Sequence, residues 1–168
     1  MTGYTPCEGV SVDALCEPEL IARAEVVFLP DRPGFDFAVD VGGDDGVSAC
    51  IFLARDDLGE PCDLVAWEPQ ARRLAAWYGS AALLGAENIY GPRLDRENTL
   101  SVFETPFEWL LNDRDGVVII DPLCAGPVLF AASPLRASSR SYGRRLRDVV
   151  NPPSPRIYVP KTSSRAAA

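Results

Sequence analysis

The sequence predicts an α+β fold: one domain with a mixed or mainly antiparallel sheet, β-hairpins and a few short helices. Three observations predict it. Apolar and polar residues alternate over 35–41 and again over 47–53, the two-residue period of half-buried strands. Helix-type patterns are few and short. A chain of 168 residues, 47% hydrophobic and 24% charged, has the size and composition of one ordinary globular domain with a real core.

In chain order, EPELIARA (17–24) predicts a short helix, with Pro18 at the first helical position and Glu17 and Glu19 in the first turn. EVVFLP (25–30) predicts a strand, and PDRPG a turn. Phe35, Phe37, Val39 and Val41 alternate with Asp36, Ala38 and Asp40; Val47, Ala49, Ile51 and Leu53 continue the alternation beyond the loop GGDDG. Pairing Val41 with Val47 puts every odd position of both segments on one face, which predicts an antiparallel hairpin. Asp36, Asp40, Ser48, Cys50 and Phe52 then share the other face. A second hairpin is predicted from DLVAW (63–67), the turn EPQAR and RLAAWYG (73–79), with Trp67 and Trp77 paired across the strands. SAALLGAENI (80–89) predicts a short helix and 90–100 a polar connection.

TPFEWLLNDRDG (105–116) carries the clearest local signal. Thr105 and Glu108 form a capping box, Pro106 takes the first helical position, Phe107, Leu110 and Leu111 give the buried stripe, and Gly116 ends the helix. VVII (117–120) predicts a strand buried on both faces at the sheet centre. PLCAGPVLFAAS is helical with interruptions at Gly126 and Pro127. In the last helix, within 138–150, Tyr142, Leu146, Val149 and Val150 form the apolar stripe, and Arg140, Arg144 and Arg147 share the opposite face. RIYV (156–159) predicts a final strand. The domain thus spans 1–160, and 161–168 is a flexible tail.

Composition excludes several chemistries. There is no histidine, so Ser-His-Asp and Cys-His catalysis and histidine-ligated zinc are out. Lys161 is the only lysine, and it falls in the predicted tail, so a P-loop and a Schiff base lack their lysine. The other basic residues are all arginine, a bias that GC-rich coding produces. Cys7, Cys16, Cys50, Cys62 and Cys124 form no CxxC and are an odd number, which speaks against a disulfide framework. The N-terminus lacks the pattern of a signal peptide, and no run reaches the roughly 20 apolar residues of a membrane span. The expected location is the cytoplasm, without membrane association.

The net charge of −8 conceals an asymmetry. Residues 1–121 carry 23 acidic and 8 basic side chains, whereas 122–168 carry 1 acidic and 8 basic. A basic C-terminal segment on an acidic body either docks on that body or meets an anionic partner. Arg140, Arg144 and Arg147, extended by Arg136, Arg145 and Arg156, are the candidate contacts, and guanidinium groups on one helix face suit phosphates. The acidic body in turn could meet a basic surface of a host protein.

A second candidate is a carboxylate site. The order of a strand with Asp40, a returning strand, a hairpin, a helix, a buried strand ending at Asp121 and then helices resembles a ribonuclease H-like fold. That resemblance implies a nuclease holding magnesium or manganese on Asp40, Asp121 and Asp148; two-metal hydrolysis needs neither histidine nor lysine. Against it, Asp148 sits among arginines, and Asp40 lies where a solvated residue is expected. The turn GGDDG fails the EF-hand spacing, since Val41 and Phe52 would be the first and last ligands. The primary expectation is therefore no metal and no cofactor.

DLVAWEP, RLAAWYGSAALLGAENI, FETPFEWLLNDRDGVVIIDP and PPSPRIYVP together resemble a group of small uncharacterised proteins from phage-derived regions of GC-rich alphaproteobacteria. The likeness covers roughly residues 60–160. It implies a phage or prophage accessory protein, without supplying catalytic residues. The reading that results is a non-enzymatic protein binding nucleic acid or a host protein through its basic C-terminal helix.

Overall fold

A computed structural model describes residues 22–30, 34–41, 46–91, 99–132 and 134–152, with the backbone alone at 40 and 41. The described residues form an α+β fold with nine strands in two sheets. The first sheet is antiparallel and contains β1 (Ala22–Phe28), β2 (Phe35–Phe37), β3 (Val47–Arg55), β4 (Pro61–Glu68) and β5 (Arg73–Ala76), in the order β2-β1-β3-β4-β5. A bridge between Gly34 and Ala76 joins its two edges, so the sheet curls on itself. A one-turn helix, α1 (Ala38–Val41), follows β2.

The first expected hairpin is replaced by a three-strand arrangement. β1 lies between β2 and β3: Val26 faces Phe37 on one side and Val47 on the other. EPELIARA is not helical where it is described; Ala22, Ala24 and Val26 alternate inward along β1. Leu29 N–H donates to Gly34 O, which ties the end of β1 to the start of β2; residues 31–33 of the expected PDRPG turn lie outside the described residues. The pattern in 35–53 was compatible with direct pairing, but β1 carries the same alternation and supplies both missing neighbours. The inward choice of odd positions holds for Phe35, Ala49 and Ile51, which are buried in one core, but not for Val39, which is exposed on α1. The even face of β3 is solvated only at its start: Ser48 is exposed, whereas Phe52 and Ala54 enter a second core.

The hairpin β4–β5 forms as expected. Trp67, however, faces Leu74, while Trp77 lies beyond β5 with its N–H on Leu64 O. The expected helix at 80–89 is instead β6 (Leu83–Leu84) followed by a 3₁₀ turn, Ala86–Asn88. Gly85 has φ 83°, a left-handed conformation that glycine adopts readily and that ends the strand.

The second sheet holds β6, β7 (Leu100–Phe103), β8 (Val117–Ile119) and β9 (Leu135–Ala137), in the order β6-β8-β7-β9. β7 is parallel to β8 and β9, and β6 is antiparallel to β8. Parallel neighbours need crossovers, which α2 (Pro106–Leu111) and α3 (Pro122–Ala131) provide. α4 (Arg140–Val150) ends the described chain. β8 is central and its Val117 and Val118 are buried, as VVII predicted.

The capping chemistry at Thr105 is present: Thr105 Oγ1 accepts from Glu108 N–H at 3.2 Å. Glu108 Oε2 accepts from Glu104 N–H, one residue before the expected partner. The buried face of α2 differs from the expected stripe. Pro106 and Trp109 are inside, whereas Phe107 and Leu111 are exposed. Trp109 wins because its indole N–H donates to Gly116 O at 2.9 Å, which anchors the helix across the turn into β8.

Three apolar layers result. Phe35, Val26 and Ile51 fill the curl of the first sheet. Phe52, Val65, Leu84, Phe103 and Trp109 lie between the sheets. Val102, Val117, Leu129, Tyr142 and Leu146 pack the second sheet against α3 and α4. Each fully buried aliphatic or Phe side chain contributes about 1.5–3 kcal/mol relative to exposure. No helix among the described residues is long and apolar enough to cross a membrane. The predicted strand at 156–159 and the tail 161–168 lie outside the described residues.

Candidate functional site

α4 begins at Ser139, whose Oγ accepts from Tyr142 N–H at 3.1 Å. That cap fixes the helix phase. Tyr142 and Leu146 turn to the core, with Val149 and Val150 half-buried beside them. Arg140, Arg144 and Arg147 are exposed on the opposite side. Their i, i+4, i+7 spacing spreads three charges over roughly 10 Å of helix axis. The three line a single groove of about 580 Å³ between α4 and β9, with Leu135, Ala137 and Gly143 forming its apolar floor. The approach is close at Gly143, where a Cβ would stand 3.4 Å from Ala137 Cβ. β9 is an edge strand among the described strands.

The acidic body does not engage these three side chains among the described residues; its ion pairs go elsewhere. Glu68 holds Arg73 at 2.7 Å. Glu104 Oε1 holds both Arg72 at 3.0 Å and Arg145 at 2.6 Å. Arg136 on β9 donates to Ser101 Oγ at 2.8 Å. So the basic segment divides in two: Arg136 and Arg145 serve the second sheet, and Arg140, Arg144 and Arg147 face outward. Arg156 lies outside the described residues.

The carboxylate constellation is not assembled in the way the ribonuclease H-like order requires. Asp40 follows β2 at the edge of the first sheet, whereas Asp121 follows β8 in the second sheet. The two strands that should lie side by side therefore belong to different sheets. Asp121 caps α3, its Oδ1 accepting from Leu123 N–H at 2.9 Å. A hydrogen bond from the Cys124 thiol is the main cause that lowers its pKa. Asp148 is exposed on α4. No group of three or more His, Cys, Asp or Glu side chains suited to a metal occurs among the described residues.

Two carboxylates that the sequence did not single out are more tightly engaged. Asp63 is 5% exposed and accepts from the backbone N–H groups of Leu64, Tyr78, Ser80 and Ala81. It fastens the link from β5 to β6. Glu104 stands at the carboxyl end of β7, where its two arginines reach it from the β4–β5 turn and from α4. Thr105–Glu108 capping marked the neighbourhood in the sequence, but nothing local connects Arg72 or Arg145 to Glu104. Cys50 is half-buried, and burial pushes its thiol pKa up.

Neither models of known protein families, nor curated proteins, nor solved structures give a match to this chain.

Proposed function

We propose that this chain is a binding protein for nucleic acid, which it grips by its phosphates through Arg140, Arg144 and Arg147. One observation carries the reading: in a protein with 24 acidic side chains, three neighbouring arginines line one groove without an ion-pair partner among the described residues. Protein arginines left unpaired beside a surplus of carboxylates are available to an outside anion. A nucleic-acid strand places one phosphate about every 3.4 Å, so the groove accommodates about three. The net charge of −8 repels a polyanion at long range, but that repulsion is screened beyond about 10 Å at 0.1 M salt. A local basic groove then decides the contact. With the sequence resemblance, the wider reading is a phage- or prophage-type accessory protein of the cytoplasm, acting without a cofactor.

Fluorescence anisotropy of labelled single- and double-stranded DNA and RNA across a salt series tests it. Three phosphate contacts predict a slope of log Kobs against log salt of about −2 to −3. The triple variant R140Q/R144Q/R147Q should flatten that slope while keeping its melting temperature. Absence of binding at low salt, or a triple variant that binds like the parent, contradicts the reading and turns the search to a host-protein partner.

A further inference from the structure

We propose that the cleft between the β4–β5 turn and α4 is a separate site for a small phosphorylated ligand with a planar apolar body, a nucleoside monophosphate being its simplest form. The cleft has a volume of about 530 Å³, within the usual range of small-molecule pockets. It opens beside Glu104 and Ile119, at the carboxyl ends of the parallel strands β7 and β8. The chain places β8 and β9 on opposite sides of β7, and the crevice outside the carboxyl ends at such a reversal is where α/β sheets receive ligands.

The lining has two halves. Trp67, Leu74 and Ile119 give an apolar wall that remains half-buried, unlike the closed cores on either side of it. Opposite stand the guanidinium groups of Arg72 and Arg145, both bound to Glu104 Oε1. The trio carries a net charge of +1. Each guanidinium gives one hydrogen bond to Glu104, and the other donors of each fork have no protein partner among the described residues. Arg145 is steadied from below by the Tyr142 ring, 5.3 Å from its Cζ to the centroid. Arg72 is held in a left-handed backbone conformation, φ 53°, that non-glycine residues seldom adopt. A phosphate monoester has a charge near −2 and three acceptor oxygens. It can accept from both forks while Glu104 keeps its bonds, and the attached ring meets Trp67. The site uses none of the three groove arginines.

Isothermal titration calorimetry with adenosine monophosphate, adenosine and inorganic phosphate tests this. The monophosphate should bind at least about tenfold more tightly than either fragment. R145Q, or R72Q if the first variant is poorly folded, should weaken the monophosphate about tenfold and leave adenosine unchanged. W67L should weaken the monophosphate and adenosine alike and leave inorganic phosphate unchanged. A 5′-phosphorylated trinucleotide that displaces the monophosphate identifies a strand end as the source of the ligand; failure to displace identifies a free nucleotide. Silence of all three probes at millimolar concentration, or binding indifferent to R145Q and R72Q, overturns the proposal and leaves Arg72–Glu104–Arg145 as a strut between the sheets.

Discussion

In the first sheet the most buried carboxylate, Asp63, accepts four backbone hydrogen bonds and has no arginine beside it in the hydrogen-bond pattern. In the second, Glu104 is shared by two arginines at the mouth of a cleft, and three more arginines stand outside α4. The topologies explain the contrast. A curled antiparallel sheet satisfies most of its backbone internally and leaves few strand ends open; its polar side chains close turns. A parallel set of strands with crossover helices gathers its carboxyl ends and helix starts on one side, so its charged side chains meet there. The first sheet is mainly scaffold and lends Trp67, Arg72 and Leu74 to the cleft, whereas the second sheet with α4 carries the arginine groove.

That contrast can be broken from either side. The largest expected effect is at Gly116, in the second sheet. Its φ is 134°, and a Cβ there would stand 2.5 Å from Ser101 O in β7. Gly116→Ala should cost on the order of 4 kcal/mol in chemical denaturation, because neither backbone can yield in the sheet centre. A loss within about 1 kcal/mol would mean that the β7–β8 pair is looser than described.

Next is Tyr142, under α4. Burial, its first cause, pushes the phenol up to about 12. An unfolded tyrosine titrates near 10, so the folded state holds the proton more tightly. Stability is fully present below about pH 10 and falls as pH rises toward about 12, by roughly 2–3 kcal/mol from this group. Tyr142→Phe should remove that part of the alkaline slope in urea melts. An unchanged slope would show that α4 does not seal the phenol from water.

Asp63→Asn comes third and addresses the scaffold. One carboxylate oxygen becomes an NH₂ that faces backbone donors, either at Tyr78 and Leu64 or at Ser80 and Ala81. About 2 kcal/mol of stability should be lost, with ligand binding at α4 unchanged. If binding fell with stability intact, the two sheets would not have separable roles.

Much of the fold was legible where the signal is local. The alternation in β3, the β4–β5 hairpin around its turn, the Thr105 cap, the central VVII strand and the two faces of α4 all follow from neighbours in sequence. Partner choice was not legible. β1 and the 47–53 strand share one alternation with 35–37, and the hydrophobic pattern does not decide which of them pair. SAALLGAENI is rich in helix formers, yet Gly85 takes a left-handed conformation and the segment becomes a strand and a 3₁₀ turn. The arginine groove was visible as a helix face, whereas its β9 wall was not. The cleft was invisible, since Arg72 and Glu104 are 32 residues apart and meet only through packing of the two sheets.

The central claim is that the α4 side of the second sheet meets the nucleic acid and the first sheet does not. Its most direct test is an amide NMR titration with a short single-stranded oligonucleotide at low salt. The account predicts chemical-shift changes along 135–147, centred on Arg140, Arg144 and Arg147, and quiet amides through β1–β5. Changes concentrated in the first sheet, with 135–147 unmoved at saturation, would contradict it.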